Sequence, residues 1–310
     1  MTILYADSLF LKHDTGTLPE NTARFLPVMR RANQIAIHAG CLQRSWGEVS
    51  DLRLERVHTR EYIEFVKEFC LQGGGFIAED TVVCPESYAV ARMAVGAVCD
   101  AVEQVVKGLD ERAFCLVRPP GHHATASAAL GFCLFNNVAV GARLALDELG
   151  LERVLIVDWD VHHGDGTQDI FWEDGQVGFL SIHRASFYHG TGTAAETGAG
   201  AGLGTNVNVP VDFGTSREDY IKMFQSAVEK LAEKIRPQLI LISAGFDSHK
   251  ADPVGSLGLE SEDFSRLTRI VLDIAAVHAG GRVVSVLEGG YNPQALADSI
   301  EQHLLEMTSA

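Results

Sequence analysis

Apolar runs of strand length alternate with helical segments along the chain, polar side chains gather immediately after one strand after another, and no linker or repeat interrupts the alternation. These observations predict one α/β domain over residues 1–310, with a mostly parallel central sheet and helices on both faces. At 310 residues and 46% hydrophobic, the chain can bury such a core. In open parallel sheets ligands bind beyond the carboxyl ends of the strands, so the polar clusters mark the candidate site.

The spacing predicts a strand at 3–5, helices over 27–39 and 60–72, and a long helix over 86–108 whose small apolar residues imply burial on most of its surface. A strand at 113–117 ends in Arg118-Pro119-Pro120-Gly121-His122-His123, where the prolines stop it and hold the chain extended. A helix is expected over 138–149. The apolar strand 154–157 then runs into Asp158, Asp160, His162, His163 and Asp165. So many polar groups beside a core need compensation, and a metal is the simplest. On extended chain Asp158, Asp160 and His162 share one face, with Val157, Trp159 and Val161 on the other. A strand at 177–182 leads into a glycine-rich loop, 190–204, that neither opens a helix nor carries a nucleotide fingerprint's acid. Ser216 and Asp219 predict a capped helix to 235. The strand 238–243 delivers Asp247, a helix spans 261–279, and the strand 282–287 delivers Glu288-Gly289-Gly290-Tyr291.

Charge and composition narrow the function. The net charge of -16, from 41 acids against 25 bases, with no basic block, argues against direct nucleic-acid binding. No apolar run reaches the roughly 18 residues of a membrane span, and no basic n-region or long apolar h-region opens the chain. Six cysteines without a C-x-x-C pair suggest reduced thiols and a cytoplasmic location.

Asp160, His162 and Asp247 supply an O, N, O ligand set with a coordination position left for water or substrate. Two carboxylates balance a divalent cation and the imidazole favours Zn²⁺, with Fe²⁺ or Mn²⁺ compatible. His122 and His123 are candidates for the base, Asp158 and Asp165 for the carboxylates that orient them. Tyr291, on its Gly-Gly turn, is placed to donate to a developing oxyanion.

The segments R-P-P-G-H-H-A (118–124), G-F-C-L-F-N-N (131–137), D-W-D-V-H-H-G-D-G (158–166), A-G-F-D (244–247) and E-G-G-Y (288–291) resemble the zinc-dependent histone deacetylase family, which includes acetylpolyamine amidohydrolases. The R-P-P-G-H-H form resembles the class II branch. The resemblance implies a three-layer arginase/deacetylase fold and a hydrolase that releases acetate or another short acid from an acylated amine such as acyl-lysine. It implies Asp160, His162 and Asp247 as Zn²⁺ ligands, His122 and His123 as the tandem histidines, and Tyr291 as the transition-state tyrosine. Gly131 and Phe132 would line an acyl-lysine tunnel opposite Phe187 or Tyr188. Asp158, with backbone from Asp160 and His162, plus Ser181 and Ile182, would hold K⁺. Two departures stand out: Leu18 precedes Pro19-Glu20 where the family usually has His, and Val254 follows Asp252-Pro253 where polyamine-selective relatives can carry an acid. Acetylpolyamine deacetylation is the alternative activity. An arginase-type ureohydrolase would need a D-x-D pair where Asp247-Ser248-His249 offers one carboxylate, and a non-catalytic acyl-lysine binding module would have lost a ligand, a tandem His or the Tyr, all of which are present.

Overall fold

A computed structural model describes residues 2–309. In chain order the elements are β1 (Thr2–Ala6), α1 (Thr22–Ala39), β2 (Leu42–Gln43), α2 (Asp51–Leu54), α3 (Arg60–Leu71), β3 (Gly75–Phe76), β4 (Val82–Val83), α4 (Ser87–Val106), β5 (Arg112–Leu116), α5 (Asn137–Asp147), β6 (Val154–Asp158), α6 (Asp165–Ile170), β7 (Val177–Arg184), β8 (Asn206–Val211), α7 (Arg217–Ile235), β9 (Leu239–Ala244), α8 (Ser261–His278), β10 (Val283–Leu287) and α9 (Pro293–Thr308). Eight strands form one sheet in the order β2-β1-β5-β10-β9-β6-β7-β8, and every pairing in it is parallel. The predicted α/β class with a parallel sheet is therefore what the chain forms. Strands β5, β6, β9 and β10 are buried at every position, as a sheet covered on both faces requires.

The short elements β2, α2, β3, β4 and α6 are absent from the sequence expectation, and three larger departures matter more. Helix α1 starts at Thr22, five residues before the predicted Pro27, because the Asn21 side chain accepts from the Ala23 and Arg24 amides and opens the helix there. Strand β8 went unpredicted although Val207, Val209 and Val211 alternate in it; its backbone pairs with β7 while the side-chain amides of Asn206 and Asn208 donate to Gln168 Oε1 at 2.8 and 2.7 Å. Helix α9 went unpredicted although Asn292 caps it and Pro293 occupies its first turn, a regular start signal. It matters to the core, since His303 and Leu304 on it are fully buried.

The last strand in sequence, β10, inserts between β5 and β9. As a result β5, β10, β9 and β6 lie side by side, and the loops after their carboxyl ends carry His122 and His123, Tyr291, Asp247, and Asp160 with His162 respectively.

Candidate metal centre and tandem histidines

The stretch after β6 leaves strand geometry at Asp158, yet its side chains still converge. The Asp160 amide donates to Asp158 Oδ1 at 3.0 Å and the His162 amide donates to Asp160 Oδ1 at 2.9 Å. Two consecutive turns of this Asx type bring Asp158, Asp160 and His162 together. Trp159 and Val161 between them are fully buried on the opposite side, with the Trp159 ring against Phe224 and His303.

His162 Nδ1 lies 2.9 Å from Asp160 Oδ1 and 3.2 Å from Asp247 Oδ2. Tetrahedral coordination with bonds near 2.0–2.1 Å places donor atoms roughly 3.3 Å apart, so these separations suit one small cation. All three residues are buried, and Asp247 Oδ2 has no hydrogen-bond donor among the described residues. The other carboxylate oxygens are tied to backbone: Val161 N donates to Asp247 Oδ1 at 2.9 Å and Gly289 N to Asp160 Oδ2 at 2.8 Å. Burial and the neighbouring Asp160 carboxylate push Asp247 up to about 7. His162 is raised to about 10, its burial outweighed by Asp160 and Asp247. A cation among these three groups would reverse both shifts, holding Asp247 ionised and His162 neutral. Backbone also touches the ligands, since a Cβ on Gly245 would overlap Asp160 and one on Gly289 would overlap Asp247 Oδ2.

The tandem histidines stand beside this triad with their rings 4.0 Å apart. Each has its own carboxylate: His122 Nδ1 is 2.9 Å from Asp158 Oδ2, and His123 Nδ1 is 2.7 Å from Asp165 Oδ1. The two rings then diverge electrostatically. His122 is raised well above its ordinary value, because Asp158 and Asp160 outweigh its burial. His123 is lowered to about 4 by burial and by His122, which together outweigh Asp165. Tyr291 is held protonated by burial and by the Asp247 and Asp160 charges. Its amide donates to Asp252 Oδ2 at 2.7 Å, and the Arg24 guanidinium lies 5.2 Å from its ring centre.

The structure brings the other named residues to the same place. The Gly131 Cα faces the His123 ring so closely that a Cβ would overlap it. The Phe132 ring is 5.9 Å from that of Tyr291, Phe187 stacks on His162 at 5.4 Å, and Tyr188 lies 5.0 Å from His123. Asp158 and Ser181 are register partners on β6 and β7, with Ile182 buried next to Ser181. The Ser181 hydroxyl pairs with His183 Nδ1 at 2.9 Å. Val254, at the departure noted above, donates its amide to Asp252 Oδ1 at 2.9 Å.

Several contributors escaped sequence reasoning. Glu288 is fully buried and accepts from Gly121 N at 2.6 Å and His122 N at 3.3 Å, anchoring the backbone that presents the tandem histidines. Glu20 is paired in the core with both Arg118 and Arg24, and Arg24 donates to the Gly290 and Glu288 carbonyls at 2.9 and 3.1 Å. The N-terminal loop is thereby tied to the turn that carries Tyr291. A second group, His122, Cys133 and Glu288, also has ligand atoms in proximity. It is the poorer cation site, because burial raises the Cys133 thiol well above its ordinary value and Glu288 is spent on backbone amides.

Comparison with known proteins identifies the family. The family profile described as histone deacetylase domain matches residues 18–307. The chain belongs to the histone deacetylase family. Among its relatives in this family, the histone deacetylase-like amidohydrolase of Pseudomonas aeruginosa is 41% identical over 250 residues, covering 80% of this chain and 66% of the relative. Human polyamine deacetylase HDAC10 is 39% identical over 297 residues, covering 91% of this chain but 43% of that protein, so the chain spans under half its length. The crystal structure of the HDA15 HD domain superposes with a TM-score of 0.93 at 36% identity, covering 99% of this chain and 88% of that one, and shares the deacetylase fold.

Proposed function

We propose that this deacetylase-family chain is a Zn²⁺-dependent amidohydrolase that removes an acetyl or other short acyl group from an acylated amine such as acyl-lysine. The observation that carries the reading is the Asp160, His162, Asp247 triad beside two histidines, each with its own carboxylate. A divalent cation held by the triad would supply Lewis acidity toward the acyl carbonyl and lower the pKa of a coordinated water. The chain supplies the rest. His123, neutral at physiological pH, accepts the water's proton at Nε2, because its Nδ1 faces Asp165. His122, cationic through Asp158, stabilises the negative charge that develops beside it. Pairs of titratable groups driven apart in this way divide the acid and base roles. Tyr291, protonated, is the proposed donor to the oxyanion. Phe132, Phe187 and Tyr188, whose rings lie near Tyr291, His162 and His123, would line the passage for the amine stem together with Gly131. Asp158 with Ser181 is the proposed K⁺ position, and the six free thiols suit a reducing, cytoplasmic compartment.

Metal analysis of the purified protein, combined with fluorophore release from an acetyl-lysine amide before and after chelation, tests this. One equivalent of Zn²⁺ and chelator-sensitive turnover are expected; metal-independent turnover or none with metal restored would sink it. Acetylpolyamine deacetylation is the second reading, favoured by the similarity to the polyamine deacetylase. The apolar Val254 speaks against it, so acetyl-lysine peptides are expected to be turned over faster than acetylspermidine.

A further inference from the structure

The Asp252-Pro253 pair lies shortly beyond Asp247 in the chain, and the buried Asp252 carboxylate serves two separate segments. Its Oδ1 accepts from Val254 N at 2.9 Å and Gly255 N at 3.0 Å, which closes its own turn. Its Oδ2 reaches out of the loop and accepts from Tyr291 N at 2.7 Å. Amide bonds to a carboxylate are about twice as strong as those between neutral groups.

The Asp252 turn is seated on the backbone of Asp247. Ser256 N donates to Asp247 O at 2.7 Å, and a Cβ on Gly255 would overlap the same oxygen. Asp252 N donates to His249 O at 2.9 Å, and Asn292 Nδ2 adds a second tie between the loops by donating to Ala251 O at 3.1 Å. The carboxylate therefore stands on the segment holding one candidate ligand and grips the amide of the candidate oxyanion donor.

Tyr291 needs that grip because the turn before it is glycine. Gly290 has φ 126, and neither Gly289 nor Gly290 has a side chain to lock the turn. Gly289 is held at its amide by Asp160 Oδ2 and at its carbonyl by Phe246 N at 3.0 Å, and the Gly290 carbonyl accepts from Arg24. The Tyr291 amide comes next, and its partner is Asp252. Without that bond, rotation in the turn would move the phenol while Asp160 and Asp247 stayed in place.

We propose that Asp252 is a positioning residue of this site: by holding the Tyr291 amide against the Asp247 loop, it sets where the Tyr291 hydroxyl stands relative to the triad. The inference rests on the amidohydrolase reading for the part Tyr291 plays. Asp252 touches neither the triad side chains nor the tandem histidines through these bonds, so its effect passes through Tyr291.

The test compares Asp252→Ala and Asp252→Asn, each with Tyr291 present and in a Tyr291→Phe background, in the metal-loaded protein with a linear acetyl-lysine amide. Asp252→Ala should lower kcat about 10- to 100-fold, the scale of a small misplacement of a reacting group, with KM and metal affinity within about threefold. Asp252→Asn, with one acceptor oxygen for amides on two sides, should fall between. In the Tyr291→Phe background, where no hydroxyl remains to be placed, either change should cost less than about threefold further. Calorimetric binding of an alkyl hydroxamate, whose carbonyl oxygen can accept from the same hydroxyl, reads this coupling without turnover. Equal losses in the two backgrounds would mean that Asp252 only closes its own turn, and loss of metal together with turnover would mean that it acts on Asp247; either overturns the inference. If Asp252→Ala fails to fold, Asp252→Asn carries the comparison, and undiminished turnover in it overturns the inference as well. Coupling of Asp252 to Tyr291 in hydroxamate binding by a protein that hydrolyses no amide would instead refute the amidohydrolase reading and leave the positioning role standing.

Discussion

Gly289 shows how tightly single residues are constrained here, because its missing Cβ is the space that Asp247 Oδ2 occupies, and its amide holds Asp160. Gly289→Ala should weaken metal binding roughly 10- to 100-fold, the range for disturbing groups that orient ligands, while far-UV circular dichroism stays native. Competition with a metal-chelating dye checks it. Tyr291→Phe deletes one hydroxyl that burial keeps protonated. A loss of about 10² to 10³ in kcat is expected, as for other oxyanion donors, with metal content unchanged; near-full turnover would remove Tyr291 from the reaction. These residues could be singled out in the sequence because each follows a strand-like run. Glu288 sits in the same motif as Tyr291 but received no role, because its partners, the Gly121 and His122 amides, are far away in the chain.

At the scale of elements, caps with similar sequence signals differ in what they hold. Ser216 opens α7 on the surface, its hydroxyl accepting from the Asp219 amide. Asn136 opens α5 from full burial, and its side-chain amide also donates to Ala124 O at 3.2 Å and Thr167 Oγ1 at 3.0 Å. Ser216→Ala should cost about 1 kcal/mol. Asn136→Ala should cost about 2–4 kcal/mol, since it also strands buried partners. Urea unfolding of the two variants measures the difference, and equal costs would contradict it. The Ser216 cap was readable because both its residues lie within one turn. The asparagines of strand β8 were not, because the partners of their Nδ2 groups, Gln168 Oε1 and the Glu196 carbonyl, are brought from elsewhere.

Across the whole molecule, buried histidines make stability depend on pH. Burial is the largest cause lowering His13, His58, His123 and His183 to about 4 and His303 to about 3. Between about pH 4 and 6.5 the unfolded chain takes up protons at these sites and the folded chain does not, so stability rises with pH. Asp158, Asp247 and Glu288, raised chiefly by burial, oppose this in the same window, Asp247 only when no cation neighbours it. With His163 and His249 also lowered, seven histidines against at most three carboxyls leave a net positive slope below about pH 6.5, approaching about 1.4 kcal/mol per pH unit for each unopposed group, while the raised His122 and His162 oppose it only above that pH. Urea unfolding of the metal-loaded protein between about pH 4.5 and 6 should show it, and a flat or falling profile would refute it.

By itself the sequence determined the class of fold, through hydrophobic period, and the identity of the candidate ligands, histidines and tyrosine, through their position just after strand-like runs. Both properties are local, so short windows of chain carry them. Only the tertiary structure decided that β10 enters between β5 and β9, which sets Tyr291 beside Asp247 and the tandem histidines. It alone also joined Asp80 to Tyr188 and Gly131, and Glu20 to Arg118 and Arg24. Strand order and buried polar pairing depend on which surfaces meet after collapse, and residues far apart in the chain hold no local trace of that choice.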